Sequence, residues 1–389
     1  MKRIAIVTST RADWGLLSPI VRRLREYETD TFRTELLVTG THLSPDYGMT
    51  IQEIINEKTR IDARIPISTA NRCAVDISNN QAQALTRFTE VFEEKRYSAV
   101  ILLGDRYEIL AVAMAACNTR TPIIHISGGD VTEGAMDDCI RHAITKMSYL
   151  HLATNEESRR RIIRMGEAPE RVFCVGSTSI DNVISTANMT REEAMGSIGL
   201  QNEQYALCTY HPVTLEDEDP DEKIGHLLVA IRHFSDMDFV VTKSNADRGG
   251  ERINQLLDEA EHHIPNLHVF ASLGARRYLS LMKYAQFVMG NSSSGIVETP
   301  AFHIPTVNIG NRQRGRLQAE SIINCGTGTE DIIRAAEKAM DSEFRKQCAK
   351  VTSPYGDGHA AERVAQIVMK ALEKPMDLMK TFYDGTAKV

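Results

Sequence analysis

The chain carries 389 residues with 45 basic and 52 acidic side chains, a net charge of −7, so no positive excess recommends nucleic acid or an anionic membrane as a partner. Seven cysteines (Cys73, Cys117, Cys139, Cys174, Cys208, Cys325, Cys348) stand singly without a C-x-x-C. Neither a disulfide framework nor a zinc site is indicated, and a reducing, cytoplasmic compartment is the expectation.

In chain order, Ile4–Val7 reads as a first strand, too short for the apolar region of a signal peptide. Leu16, Leu17, Ile20, Val21 and Leu24 then share one face of a helix starting near Trp14, with Arg22, Arg23 and Arg25 on the other face. Further β-branched runs at 36–39, 99–103, 122–126, 172–175, 206–210, 239–242, 269–270, 287–289 and 306–309 alternate with stretches of helical spacing. The longest apolar run, 109–117, falls well short of the roughly 20 residues needed to cross a bilayer. Such alternation specifies an α/β chain with parallel sheets. Ten or more strands overfill one open sheet, and two Rossmann-like, doubly wound domains are more economical. Asn188, Gly196 and Gly199 interrupt the pattern between them. The expected domains are 1–170, joined by a terminal helix at about 360–389, and 171–359.

Doubly wound sheets bind ligands outside the carboxyl ends of their strands, so the residues after each strand are the candidates. After the first strand, T-S-T-R-A-D-W-G offers Arg11 as a phosphate fork, while Asp13 fits a helix cap. G-D-R-Y-E sets Asp105 beside Arg106, either as a structural ion pair or as a carboxylate beside a phosphate-binding cation. In His125–Lys146, Gly128-Gly129 allow close backbone approach, and Asp130, Glu133, Asp137 and Asp138 are crowded together. Crowding separates carboxylate pKa values, as acid–base work requires. The alternative is that the acids favour a helix start, Asp137–Arg141 is an i, i+4 pair, and Arg141 and His142 are solvated. His211 is held extended by Pro212, at a strand end where it can move a proton or touch a phosphate. Asn245 follows the next strand in S-N-A-D-R-G-G, which is otherwise a plain turn.

G-N-S-S-S-G-I-V-E misses the nucleophile elbow G-x-S-x-G by one position, because Ser294 stands where Ser292 would need glycine. Serine hydroxyls and free amides at a helix start instead form an anion nest, supplemented by Arg312 after the next strand. Glu298, one turn further on, suits sugar hydroxyls, and the set describes a nucleotide sugar. No G-x-G-x-x-G and no metal-ligand spacing are present, so neither cofactor nor metal is expected.

Taken together, T-R-A-D, G-D-R, H-I-x-G-G-D, D-D-x-I-R-H-A-I-T-K, H-P-V-T, G-N-S-S-S-G-x-x-E and G-x-R-Q-x-G-R resemble, in order and spacing, the hydrolysing UDP-N-acetylglucosamine 2-epimerases over nearly the whole chain. The resemblance implies a glycosyltransferase-B-like fold, with the active site in the cleft between two Rossmann-like domains, and a homodimer or homotetramer. It implies elimination of UDP to a glycal, then addition of water to release N-acetylmannosamine for sialic-acid-type synthesis. Carried over by motif, Arg11, Arg106, His211, Asn245, Ser292, Ser293, Glu298 and Arg312 hold UDP; Asp105, Asp130 and Asp137 transfer protons, with His211 assisting the leaving diphosphate; and Asp181 matches a position taken as catalytic. Relatives often carry Glu or His at the place of Ser127 and Glu at that of Asp130. Related enzymes use UDP-diacetylbacillosamine, in legionaminic acid synthesis. The more distant alternatives are a retaining glycosyltransferase and a non-catalytic nucleotide-sugar binder.

Overall fold

The computed structural model describes residues 1–47, 49–70, 73–131, 136–211, 220–244, 250–314 and 316–385. They form two compact units, one of Met1–Asn182 with Gly358–Val389, the other Val183–Asp357. Among the described residues no helix is long and apolar enough to cross a membrane.

The first unit holds β1 (Lys2–Thr8), β2 (Phe32–Thr39), β3 (Ala63–Ile65), β4 (Ala99–Leu103), β5 (Ile123–Ile126), β6 (Leu150–Ala153) and β7 (Val172–Cys174), in the order β3-β2-β1-β4-β5-β6-β7. All neighbours pair in parallel. Side chains alternate between faces. Ile4, Ile6 and Ile101 pack with Leu17, Ile20 and Leu24 of the helix Arg11–Arg25 and with Val364 and Val368 of the helix Ala360–Ala371. Ala5, Val7, Val100 and Leu102 pack on the opposite face with Phe88, Phe92 and Val112. Both faces are covered, which is why these strands read as continuous apolar runs.

The second unit holds β8 (Tyr205–Thr209), β9 (Asp238–Thr242), β10 (Leu267–Phe270), β11 (Val288–Gly290), β12 (Thr306–Ile309) and β13 (Ile322–Cys325), ordered β10-β9-β8-β11-β12-β13 and again parallel. β3, β6 and β13 are absent from the sequence-based set. β3 and β13 are short edge strands, and β6 carries the buried His151 directly behind a helix.

Two boundaries differ from expectation. Residues 171–182 belong to the first unit because β7 pairs with β6, and because Pro19 interrupts the helix Arg11–Arg25. Pro19 has no N–H for the Gly15 carbonyl. Asn182 Nδ2 donates to that carbonyl instead, while Thr178 Oγ1 donates to Leu16 O at 2.7 Å. The terminal helix ends at Ala371, not near 389, and the chain continues as a non-helical tail across the first unit.

That tail is pinned by a buried carboxylate. Glu167, 2% exposed, accepts from Lys146 Nζ at 2.5 Å, Lys380 Nζ at 2.8 Å and His151 Nε2 at 3.1 Å. Phe382 lies over Lys146 and against Gly166, where a Cβ has no room. Burial raises the Glu167 carboxyl, but the three donors outweigh it and hold the group near 2, below its ordinary 4.5. Its contribution is therefore present above about pH 4.5 and lost as the pH falls towards 2. Replacing Glu167 with Gln is expected to cost about 2–4 kcal/mol at pH 7. Chemical denaturation of wild type and variant at pH 7 and pH 3.5 checks this: the gap between them should narrow at the lower pH.

Candidate functional site

Strand order in the first sheet reverses between β1 and β4, and the crevice outside their carboxyl ends is where such sheets take ligands. β1 runs into Ser9-Thr10, and the helix starts at Arg11 on a capping box, three residues before Trp14. Thr10 Oγ1 accepts from Asp13 N at 3.2 Å, and Asp13 Oδ2 accepts from Thr10 N at 3.1 Å and Ser9 Oγ at 2.7 Å. Asp13 is thus occupied by the cap. Among the described residues Arg11, with three quarters of its side chain exposed, makes only a 3.5 Å surface pair with Glu53, too weak to fix it.

β4 is followed by Gly104, whose positive φ of 75° turns the chain into Asp105-Arg106. The Gly104 carbonyl accepts from His125 Nε2 at 2.8 Å, and His125 Nδ1 lies 3.2 Å from Thr145 Oγ1. Burial drives the His125 pKa down to about 3, so the ring is a neutral strut with its proton on Nε2. Arg106 Nε donates to Glu108 Oε1 at 2.5 Å. Burial would lower this guanidinium, but Glu108 and Asp13 outweigh it and raise its pKa, so Arg106 stays cationic.

Arg141 settles one of the two alternatives left open by the sequence pattern. Instead of being solvated it is 6% exposed: Nη2 donates to Asp105 Oδ2, and Nη1 to Asp130 O at 2.8 Å and Asp138 Oδ1 at 3.3 Å. One guanidinium thereby joins the loops after β4 and β5 to the helix Met136–Met147. Helical spacing shows i, i+3 and i, i+4 partners but not a tertiary one 36 residues away. Asp137, in the first turn of that helix, is exposed. The Asp130 carboxylate accepts from Thr154 Oγ1 at 3.2 Å, Asn155 Nδ2 at 3.4 Å and Ser158 Oγ at 2.5 Å, fastening its loop to the helix Glu156–Arg164. Ser127 sits in the left-handed region at φ 61°, a conformation that costs a non-glycine residue energy and clusters at functional sites.

Asp181 lies elsewhere. Its two oxygens accept from Ala360 N at 3.1 Å and Ala361 N at 2.8 Å, so it caps the terminal helix, while burial raises its pKa. This capping duty is what the structure shows of Asp181.

The second sheet reverses between β8 and β11. β11 ends at Gly290, φ 127°, so close to β8 that a Cβ would stand 2.0 Å from Thr209 O. The serine loop follows. The expected helix there is a single turn, Ser294–Val297, running into a 3₁₀ turn, Thr299–Phe302. Ser292 Oγ accepts from Ser294 N at 3.3 Å, and Ser294 Oγ donates to Glu298 Oε2 at 2.5 Å. Burial raises the Glu298 carboxyl against that hydrogen bond. Burial raises the pKa of Tyr278, in the helix Gly274–Tyr284, a residue that no sequence signal marked.

Asn291 gathers the loop's neighbours. Its carbonyl accepts from Gln313 Nε2 at 2.8 Å and Arg312 Nη1 at 3.2 Å, and its side chain bonds to His211. His211 Nδ1 in turn lies 3.2 Å from Ser244 Oγ. The second unit thus brings His211, Ser292, Ser293, Glu298 and Arg312 to neighbouring strand ends. Asn245 and Glu133 lie outside the described residues. Past Arg312, a polar pocket of about 690 Å³ opens at the ends of β12 and β13, lined by Asn308, Asn311, Arg314, Arg316, Asn324 and Thr327 among others.

Residues 25–369 match the family described as UDP-N-acetylglucosamine 2-epimerase. The chain is 36% identical over 387 residues to the GDP/UDP-N,N'-diacetylbacillosamine 2-epimerase (hydrolyzing) of Campylobacter jejuni, covering 98% of this chain and 99% of that one. It is 30% identical over 385 residues to a UDP-N-acetylglucosamine 2-epimerase of Neisseria meningitidis serogroup B, at 99% of each. Among solved structures, the UDP-GlcNAc 2-epimerase of Neisseria meningitidis bound to UDP-GlcNAc superposes with a TM-score of 0.79 at 18% identity, over 95% of this chain and 100% of that one. That likeness establishes the glycosyltransferase-B-like fold.

The Gly290 contact yields a direct test. Gly290→Ala meets backbone at 2.0 Å in a left-handed conformation and is expected to destabilise the second unit by about 3 kcal/mol or more. Gly225→Ala, in the helix Pro220–His233 with open space around it, should be neutral or stabilising by up to about 1 kcal/mol. Thermal unfolding of the two variants side by side distinguishes the cases.

Proposed function

The chain belongs to the UDP-N-acetylglucosamine 2-epimerase family, and from that premise we propose that it is a hydrolysing 2-epimerase that releases UDP and a free 2-acetamido sugar of inverted configuration at carbon 2. One observation carries the hydrolysing reading: 36% identity along the full length to a relative named as hydrolysing.

The chemistry has two halves. In the first, a base takes the proton from carbon 2 while the carbon 1–oxygen bond breaks, leaving a glycal and UDP. In the second, water adds its oxygen to carbon 1 and a proton reaches carbon 2 from the opposite face. Net, one water is consumed and no redox partner is needed. We assign the leaving diphosphate to Arg11, Arg106, Arg312 and the Ser292-Ser293 amides and hydroxyls, since fixed donors placed where charge develops lower the barrier most. Asn245 is proposed with them from the resemblance alone. His211 hydrogen-bonds the same oxygens, and Glu298 takes the ribose hydroxyls. Proton transfer falls to Asp105, whose carboxylate is oriented by Arg141, and to the exposed Asp137. Asp130, tied to Thr154, Asn155 and Ser158, orients its loop.

UDP-N-acetylglucosamine, leading to N-acetylmannosamine for sialic-acid-type sugars, is the first substrate reading. UDP-N,N'-diacetylbacillosamine is the second, favoured by the 36% identity to the Campylobacter enzyme against 30% to the Neisseria one. Both are offered to the protein in deuterated water, and the products are resolved by mass and NMR. Free sugar, UDP and one deuterium at carbon 2 are expected; recovery of an intact UDP-sugar epimer would refute hydrolysis. Turnover should persist in chelator. Ser292→Ala with Ser293→Ala is expected to weaken UDP binding about 10- to 100-fold by calorimetry. Asp137→Asn should leave UDP affinity unchanged and lower kcat by about 10²–10⁴.

A further inference from the structure

We propose that Asn291 is a positioning residue that sets the height and direction of His211 without itself touching substrate; the inference rests on the role given to His211 above. Four observations lead to it. First, the Asn291 amide makes two reciprocal hydrogen bonds to one residue: Oδ1 accepts from His211 N at 2.7 Å, and Nδ2 donates to His211 O at 2.7 Å. A side chain is pairing with a peptide as a neighbouring strand would. Second, the backbone ladder between β8 and β11 ends with Gly290 opposite Thr209, and Asn291 N donates to Thr209 O at 3.1 Å. The next rung of a parallel ladder would run from His211 N to the Asn291 carbonyl, but that carbonyl is taken by Gln313 and Arg312, and His211 N donates to Oδ1 of the side chain instead. The Asn291 amide carries the pairing one step further and stops the chain end from splaying.

Third, Asn291 is 1% exposed, so its orientation is imposed by these bonds and by packing, not by solvent. Its approach depends on Gly290, the one residue type that fits 2.0 Å from Thr209 O. Fourth, the arm to Arg312 and Gln313 uses the Asn291 carbonyl, not its side chain. Changing the side chain therefore cuts the His211 arm and spares the Arg312 arm.

The amide is required because the two bonds need one donor and one acceptor. An aspartate has the same shape but sets a carboxylate oxygen against the His211 carbonyl, leaving a buried clash of acceptors. Asn291→Asp, Asn291→Ala, His211→Ala and His211→Ala with Asn291→Asp are compared in steady-state kinetics on the substrate identified above, in UDP calorimetry, and by the His211 ring resonance in NMR, assigned from its loss in His211→Ala. Asn291→Asp is expected to lower kcat about 10- to 100-fold with UDP affinity within about threefold, and to cost no more than about twofold further once His211 is alanine. The His211 resonance should shift in both Asn291 variants. Should the aspartate variant not fold, the alanine variant, which removes both bonds without adding charge, is paired with His211→Ala in its place. A full additional loss in the His211→Ala background, an unchanged kcat, or an unmoved His211 resonance overturns the proposal. A wild-type protein that turns over neither sugar while the resonance still shifts refutes the functional reading and leaves the positioning of His211 standing.

Discussion

A parallel sheet cannot be closed by hairpins, so each strand must be followed by a crossover, and wherever the order of strands reverses two loops part and leave a crevice. In this chain the reversal happens twice, between β1 and β4 and between β8 and β11. Nearly every polar group of interest lies within a few residues of those four strand ends: Thr10 and Arg11, Asp105 and Arg106, His211, and Asn291 to Ser294. The helices that follow supply amides and caps, and the strands, buried on both faces, hold the loops at fixed height. The rest of the architecture serves to keep those four termini in place.

Much of this was legible in the residues, for a physical reason. Central strands covered on both faces must be apolar and β-branched, so β1, β4, β8 and β12 stand out, and the chemistry-bearing residues come directly after them. Elements governed by tertiary partners were not legible. β6 carries His151 because Glu167 receives it, a pairing across 16 residues that no periodicity reveals. Helical spacing left a solvated Arg141 open as one alternative, whereas its partners on Asp105 and Asp130 bury it, and Tyr278 has no local signal at all. Asp181 is the reverse case. Its motif suggested catalysis, but the terminal helix, returning from about 180 residues later in the chain, brings two amides that claim its carboxylate.

The boundary near residue 182 shows how one residue redirects packing. Pro19 is unfavourable inside a helix because it strands a carbonyl. Here Asn182 donates to the freed Gly15 carbonyl and Thr178 to the next one, so the helix Thr178–Thr186 begins docked on the first unit although its later residues, such as Val183, join a core of the second. A defect in one helix becomes the attachment point for another.

The two strand-end clusters are built from different materials, and the proposed division of labour follows from that. Around β8 and β11 many of the bonds join amide, hydroxyl and peptide groups, such as Asn291 with His211, Ser292 with Ser294, and Thr209 with Thr242 at 2.5 Å, with Arg312 and Glu298 as ionisable members. Such dipoles are cheap to bury when paired and do not reorganise when a charged ligand arrives, which suits the seat of a leaving diphosphate. Around β4 and β5 the contacts are charged, with Arg141 shared by Asp105 and Asp138 and Arg106 held by Glu108. Buried ion pairs of this kind gain little net stability over apolar packing. Their use lies in orienting ionisable groups, as Arg141 orients Asp105, one of the two carboxylates proposed for proton transfer.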